Sequence, residues 1–339
     1  MKILVTGSAG FIGGYIVEEL LQAGHEVVGL DNFSKYGELR QASVEHPNYR
    51  FVRGDAKDVA LLRELMADVD QVVAGAAKIG GISYFHEFAY DLLAENERIT
   101  AAIFDAAIEA HRRGTLKKIN VISSSMVFEN AQTWPTPEGE QRRCPPPSST
   151  YGFQKLATEY FVQGAWEQYH LPFTIIRPFN CVGVGERRAL SEKEILSGNV
   201  KLAMSHVVPD LIQKVIKGQD PLHLLGDGRQ VRHYTYGADL ARGIRLCIEK
   251  PAAVNEDFNL STETSTTVLE LAESIWKKLR PSEPFRYMCD PPYPYDVQKR
   301  VPCVEKTKRL LGFQATTALS EILDVVIPWV KQQVDFGNL

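Results

Sequence analysis

Five short, nearly unbroken apolar runs recur through the first 125 residues: KILVTG (2–7), HEVVGLD (25–31), YRFVRGD (49–55), DQVVAGAA (70–77) and KKINVISSS (117–125). A strand that is apolar along its whole length must be covered on both faces, which is the condition of a strand in a parallel sheet. Helical patterns between the runs supply the cover. FIGGYIVEELLQAG carries Ile12, Ile16 and Leu20 at four-residue spacing, Val17 and Leu21 widen the stripe, and Gly24 stands where the helix would end. Longer helical patterns over 85–113 and 151–169 flank the fifth run, and PFTIIRP (172–178) adds a sixth strand. The alternation predicts an α/β fold built on a doubly wound parallel sheet.

Beyond 178 the pattern changes. The stretch 181–200 is rich in glycine and charge, a helix is expected over 204–217, and short strands near 222–225 and 231–235 precede a helix over 237–248 that returns to the sheet. Six prolines in 281–303 read as a rigid loop. The division expected is 1–178, with 233–254 returning to it, and a smaller unit over 179–339. A length of 339 residues accommodates this, being about 2.3 typical domains.

Composition excludes several classes of partner. Thirty-eight basic residues against 42 acidic ones leave a net charge of −4, which argues against nucleic acid. No apolar run approaches the ~18 residues of a membrane span, and the N-terminus lacks the cleavage pattern of a signal peptide. Five scattered cysteines (Cys144, Cys181, Cys247, Cys289, Cys303) without a CxxC pair predict neither a disulfide framework nor a metal site. A reducing, cytoplasmic location is expected.

The chemistry begins at the first strand-to-helix turn. Gly7, Gly10 and Gly13 let the backbone turn tightly and approach a pyrophosphate, whose charge the helix N-terminus stabilises. Asp31 closes the second strand, where a carboxylate accepts both adenosine ribose hydroxyls and repels a 2′-phosphate, favouring NAD over NADP. Tyr151 and Lys155 are spaced to share one helix face. A phenol has an ordinary pKa near ~10 and needs a neighbouring cation to act as a base at neutral pH, which Lys155 is placed to supply. Ser123, Ser124 and Ser125 end the fifth strand, and one hydroxyl can hydrogen-bond the substrate oxygen that is deprotonated.

GSAGFIG, Asp31-Asn32, Arg53-Gly54-Asp55, ISSSMVF, YGFQK, RPFN and GDGRQVRHYTYGADLA stand in an order that resembles the extended short-chain dehydrogenase/reductase family, and within it the NAD-dependent nucleotide-sugar epimerase/dehydratase branch. The resemblance implies a Rossmann-type NAD-binding domain with a smaller C-terminal α/β domain for the nucleotide sugar. It implies that Gly7, Gly10, Phe11, Ile12 and Gly13 cover the NAD pyrophosphate. Asp31 and Asn32 would hold the adenosine ribose, Asp55 and Ala56 lie at the adenine, and Lys78 and Asn96 line the cofactor. Tyr151 is implied as the acid/base, Lys155 as the group that binds the nicotinamide ribose and lowers the Tyr151 pKa, and Ser124 as the serine that polarises the substrate oxygen. Asn180 would contact the sugar diphosphate, and Arg232 and Arg300 would neutralise it. A homodimer, formed by pairing the helices at 85–113 and 151–169, is implied as well.

Two residues after Ser124, where the dehydratases and decarboxylases of the branch resemble one another in carrying Glu, this chain has Met126. AAKIGGI (76–82) is similar to the GDP-fucose synthase and GDP-mannose epimerase type, and DVQKRVP (296–302) to the decarboxylase type. His86 is the nearby candidate for an additional acid or base. The reaction needing only Ser124, Tyr151, Lys155 and NAD is 4-epimerisation of a nucleotide sugar, expected to be a UDP-hexose, through a transient 4-keto sugar. The alternatives are a dehydratase, decarboxylase or epimerase-reductase of the same branch, and a non-catalytic NAD-binding regulator.

Overall fold

Every apolar run of the N-terminal half becomes a parallel strand. A computed structural model describes residues 1–38, 42–80, 87–187, 189–190, 195–202, 206–292 and 297–336. Its central sheet begins with β1 (Lys2–Thr6), β2 (Glu26–Asp31), β3 (Tyr49–Arg53), β4 (Gln71–Ala74), β5 (Lys118–Ile122) and β6 (Phe173–Pro178). Cys181–Val182 (β7), Ile195–Ser197 (β8), Val200–Leu202 (β9), Leu222–Leu225 (β10), Val231–Arg232 (β11) and Thr235–Tyr236 (β12) are short and lie outside it. Glu256–Leu260 (β13) rejoins it as a seventh strand, giving the order β13-β6-β5-β4-β1-β2-β3. The register runs Ile3 opposite Val27 and Ile119 opposite Phe173. Strand order reverses beside β1, the place where ligands bind in such sheets.

Alternate side chains of each strand feed two cores. Leu4, Val28, Leu30, Val72, Ile119, Val121 and Ile175 face α2 (Val59–Leu65), α3 (Ala89–Arg112) and α4 (Thr150–Tyr169). Ile3, Val5, Val27, Val73, Ile176 and Phe258 face α1 (Phe11–Gln22) and α6 (Gly237–Glu249), with α5 (Val207–Ile216) lying elsewhere in the C-terminal unit. Gly24 follows α1 with φ +80°, the left-handed geometry that ends a helix. A third core joins α5, α7 (Val268–Leu279) and α9 (Leu319–Asp335), while α8 (Glu305–Leu311) packs back onto β13.

Tyr15 ties the C-terminal segments to α1. Its hydroxyl accepts from Val184 N at 2.8 Å, and its ring meets Tyr236 edge-on at 6.0 Å. A Cβ on Gly183 would lie 2.4 Å from the Tyr15 hydroxyl, so this crossing requires glycine.

Three expectations are corrected. The helix expected over 85–113 spans 89–112, with 85 and 86 outside the described residues. The single strand expected near 231–235 is two, β11 pairing with Thr266–Thr267 (β14) and β12 with β7. The proline-rich stretch 281–303 is not loop throughout, because Tyr287–Asp290 (β15) runs parallel to β10, Leu222 opposite Tyr287. Pro284, Pro291 and Pro292 flank β15 without interrupting it, so no ladder donor is lost. Among the described residues, no helix is long and apolar enough to cross a membrane.

Candidate active site

The turn from β1 to α1 is a cradle that a side chain would fill. Gly7 has φ +76°, and a Cβ on Gly13 would lie 2.0 Å from the Gly7 carbonyl oxygen. Gly10 is the N-cap of α1, and no side chain caps the helix there. The first-turn amides of Phe11, Ile12 and Gly13 are thus turned toward whatever anion occupies the cleft. Asp31 stands at the rim, held from both sides: Ala9 N donates to Oδ2 at 3.0 Å and Phe33 N to Oδ1 at 2.8 Å. Burial raises the Asp31 carboxyl pKa against the pull of these amides. Asn32 Nδ2 reaches Asp55 Oδ2 at 3.5 Å, Lys57 N donates to Asp55 Oδ1 at 2.9 Å, and Ala56 is buried beside them. An uncapped helix end, a backbone-only floor and a fixed carboxylate at the next strand suit a dinucleotide with a free ribose.

Lys78 and Asn96 meet through the backbone of one and the amide of the other. Lys78 N donates to Asn96 Oδ1 at 2.7 Å, and Asn96 Nδ2 donates to Lys78 O at 2.9 Å. The reciprocal pair fastens the loop after β4 to α3, beside the cleft.

Tyr151 and Lys155 enter from the first turns of α4. Ser149 caps that helix, accepting from Gly152 N at 3.0 Å. A Cβ on Gly152 would lie 2.8 Å from Met126 O, so glycine lets α4 close onto the 3-10 turn Ser125–Phe128. That approach brings Tyr151 to Ser124, with which it shares a hydrogen bond. Burial raises the Tyr151 pKa, and the Ser124 bond and the Arg300 guanidinium pull it back down. Lys155 Nζ donates to Ile122 O at 2.9 Å, at the end of β5. Burial lowers the Lys155 pKa to about 8, against the opposing fields of Glu159 and Glu97. Met126 does not face water. It joins Tyr151, Leu92 and Val297 in an apolar cluster with Ile79 and Phe88 packed against it.

The three serines have separate employment. Ser123 Oγ donates to Glu159 Oε1 at 2.6 Å, whereas Ser124 Oγ accepts from Met126 N at 3.2 Å and meets Tyr151. Ser125 is buried in the turn. Ser124 is thus the serine bonded to the phenol.

Arg232 and Arg300 arrive from neighbouring backbones. Val231 N donates to Gln298 O at 2.8 Å and Arg300 N to Val231 O at 3.3 Å, which sets the two arginines side by side along β11. Asn180 has φ +36°, and its Oδ1 is buried without a partner among the described residues. Thr235 N donates to Asn180 O at 3.0 Å, so Asn180 and Tyr234 stand just before the paired strands β7 and β12.

Sequence reasoning passed over four side chains here. Tyr234 is buried, its hydroxyl has no partner among the described residues, and burial raises its pKa while Arg232 and Arg300 lower it. An orphan hydroxyl next to two guanidiniums is a candidate ligand contact, and its place two residues after Arg232 was the available signal. Glu159 and Arg177 form a buried ion pair, signalled by an arginine inside the apolar run PFTIIRP. Glu97 was the fourth, with no signal in the sequence alone. His86 lies outside the described residues.

Similarity to known proteins agrees with this geometry. Residues 3–261 match the model of the NAD dependent epimerase/dehydratase family. The chain is 27% identical to a UDP-glucose 4-epimerase of Lacticaseibacillus casei, covering 100% of this chain and 99% of that protein. It is also 27% identical to a UDP-N-acetyl-alpha-D-glucosaminuronate decarboxylase of Bacillus cytotoxicus, with 98% of each covered. Among solved structures, a UDP-glucose 4-epimerase of Thermotoga maritima with UDP-glucose superposes with a TM-score of 0.81 at 27% identity, over 98% of this chain and 100% of that one. A UDP-glucuronic acid 4-epimerase of Bacillus cereus, in complex with UDP-glucuronic acid and NAD, gives 0.82 at 25% identity, over 98% and 99%. Since the family match runs from β1 through the whole sheet to the end of β13, the chain belongs to the NAD dependent epimerase/dehydratase family, its fold is the Rossmann-type sheet of that family, and its cofactor is NAD.

Proposed function

We propose that the chain is a nucleotide-sugar 4-epimerase acting on a UDP-hexose through a transient 4-keto sugar. The observation that carries this reading is the wall beside Tyr151. The turn after β5 offers that phenol one hydroxyl, Ser124, and one thioether, Met126, and Met126 is packed into an apolar cluster. The turn Ser125–Phe128 holds no carboxylate to move a proton at a second sugar carbon. A reaction confined to C4 asks for none.

NAD, when bound, supplies reversible hydride chemistry at C4. The dinucleotide would rest on Gly7, Gly10, Phe11, Ile12 and Gly13, with Asp31 and Asn32 at the ribose, Asp55 and Ala56 at the adenine, and Lys78 and Asn96 along the cleft. Tyr151, ionised, takes the 4-hydroxyl proton, and Ser124 donates to the same oxygen as its charge develops. Lys155 lies one helical turn along the same face, where its ammonium favours the phenolate and can hold the nicotinamide ribose. Arg232, Arg300, Tyr234 and Asn180 hold the diphosphate while the keto sugar turns over, and Tyr151 returns the proton to the epimeric oxygen. Residues 179–339, apart from 233–254 and the β13 and α8 segments that return to the sheet, serve mainly to bind the nucleotide sugar.

One observation favours a second reading. Arg300 acts on Tyr151 itself, and a guanidinium there can also hold a sugar carboxylate, as a decarboxylase would need. NMR of the purified protein with UDP-glucose, UDP-N-acetylglucosamine and UDP-glucuronate in deuterated water separates the two. Inversion at C4 with no solvent deuterium on carbon is expected. Deuterium at C3 or C5, or release of carbon dioxide, overturns the epimerase reading.

A homodimer belongs to the same proposal. Phe153 and Tyr160 on α4 are 48% and 63% exposed, Tyr90 on α3 is 77% exposed, and the Phe161 ring lies tilted against Phe104, 5.9 Å between centroids, across the two helices. Such an aromatic face suits a second copy of the chain. Sedimentation is expected to give twice the chain mass for the parent and a monomer for Phe153→Glu/Tyr160→Glu; a monomeric parent removes the assignment. Five free thiols support a reducing, cytoplasmic location.

A further inference from the structure

We infer that Glu97 is a positioning residue for Lys155: its carboxylate, anchored by Gln154 across the α3–α4 seam, keeps the lysine ammonium charged beside Tyr151. This rests on the reading of Tyr151 and Lys155 as the acid/base pair.

The geometry is that of a small polar space in an otherwise apolar seam. A cavity of about 20 Å³ lies between the sheet and the two helices, with Asn96, Thr100, Gln154, Lys155 and Thr158 among its lining. Gln154 is 2% exposed, and its Nε2 donates to Thr158 Oγ1 at 2.8 Å. The same amide side chain bonds Glu97. The other oxygen, Glu97 Oε1, is buried with no partner among the described residues. A carboxylate is costly to leave half-satisfied in such a seam unless a nearby cation gains from its field. Lys155 is that cation, and its own bond is to a neutral carbonyl, Ile122 O.

The surrounding charges leave Glu97 a distinct part. On α4 itself, Lys155 has Glu159 one turn away, but Arg177 from β6 holds both Glu159 oxygens at 2.7 Å. Tyr151 on α4 is neutral until it ionises, and Arg300 from the C-terminal segment acts on Tyr151 and opposes a second positive charge nearby. Arg98 on α3 is turned to Glu95 at 2.9 Å. Of the two carboxylates whose fields reach Lys155, Glu159 and then Glu97, Glu97 is the one without a guanidinium partner among the described residues. Burial takes the lysine down to about 8, so activity falls as pH rises through that value, and loss of the Glu97 field moves the fall to lower pH.

The test titrates Lys155 directly in the full-length, NAD-loaded protein by NMR of ¹³Cε-labelled lysines, assigning its resonance with Lys155→Arg. In Glu97→Gln the midpoint is expected to fall, and Glu97→Asp to restore it. The kcat/KM profile should follow, with activity roughly three- to tenfold below the parent at pH 9 and within about twofold at pH 6.5. A midpoint unmoved in folded Glu97→Gln overturns the inference. Gln154→Ala releases the carboxylate without removing it, and an unmoved midpoint there overturns it equally should Glu97→Gln fail to fold. A midpoint that moves in a protein turning over no nucleotide sugar upholds the Glu97–Lys155 coupling and refutes the proposed reaction instead.

Discussion

Tyr151→Phe is expected to lower kcat for C4 inversion by ~10²–10⁴-fold, with NAD still bound and the fold intact. The ring is what packing uses. Tyr151 lies against Leu92, Met126 and Val297, and Phe keeps all of that apolar surface. The hydroxyl is what the proposed chemistry uses. Burial pushes the phenol up, yet Ser124 and Arg300 both favour its ionised form, an arrangement that a purely structural tyrosine does not need. Losing the oxygen removes one hydrogen bond to Ser124, worth ~0.5–1.5 kcal/mol, so the melting temperature should move by only a few degrees. NMR turnover assays, with NAD content read after denaturation, measure both halves of the expectation. Residual activity within about tenfold of the parent would mean that the proton leaves by another group.

The N-terminal half of the fold was legible because its strands are buried on both faces and therefore read as unbroken apolar runs. Each of these runs brackets its strand. The glycine turn and the Tyr151–Lys155 spacing were legible for a related reason, since the backbone geometry there admits few residue types. The C-terminal half hides its signals. β13 opens with Glu256 and Asp257, charges that conceal an edge strand until Arg177 and Lys306 are seen beside them. β15 sits among prolines that obscure four pairing residues. Ser124 was picked out of three adjacent serines by the resemblance alone, because what engages Ser123 instead is Glu159, 36 residues farther along the chain. Tyr234 was equally hidden, since an orphan hydroxyl beside two arginines exists only once the fold is formed.

Arg177→Met is expected to destabilise the protein by ~3–5 kcal/mol, the usual result of removing one member of a buried ion pair. Arg177 is 0% exposed. Its Nε and Nη2 each donate to Glu159 at 2.7 Å, Nη1 donates to Asp257 Oδ2 at 2.7 Å, and its guanidinium lies 5.2 Å from the Phe128 ring centroid. Methionine fills part of the volume but leaves Glu159 buried with Ser123 and Gln141 as its donors among the described residues. The loss is a large share of the ~5–15 kcal/mol typical of a folded protein, and the melting temperature should drop by on the order of 10 °C.

The pH dependence distinguishes an electrostatic loss from a simple packing defect. Burial alone would raise Asp257, but Arg177 and Lys306 outweigh it and hold the carboxyl below its ordinary value. Its contribution in the parent is therefore present above the unfolded pKa of ~3.9 and disappears as pH falls through the lower folded value. Arg177→Met takes one of the two cations from Asp257 and leaves it Lys306, so the gap between variant and parent should be wide at pH 7 and narrow by pH 3, below the unfolded pKa of ~3.9. Denaturant melts at the two pH values measure it, and a gap that stays constant would assign the loss to packing around Phe128. The same clamp holds Ser123 at the end of β5, next to the serine that meets Tyr151. A variant that folds should therefore also lose turnover, through a displaced Ser124 and not through any contact of its own with the sugar.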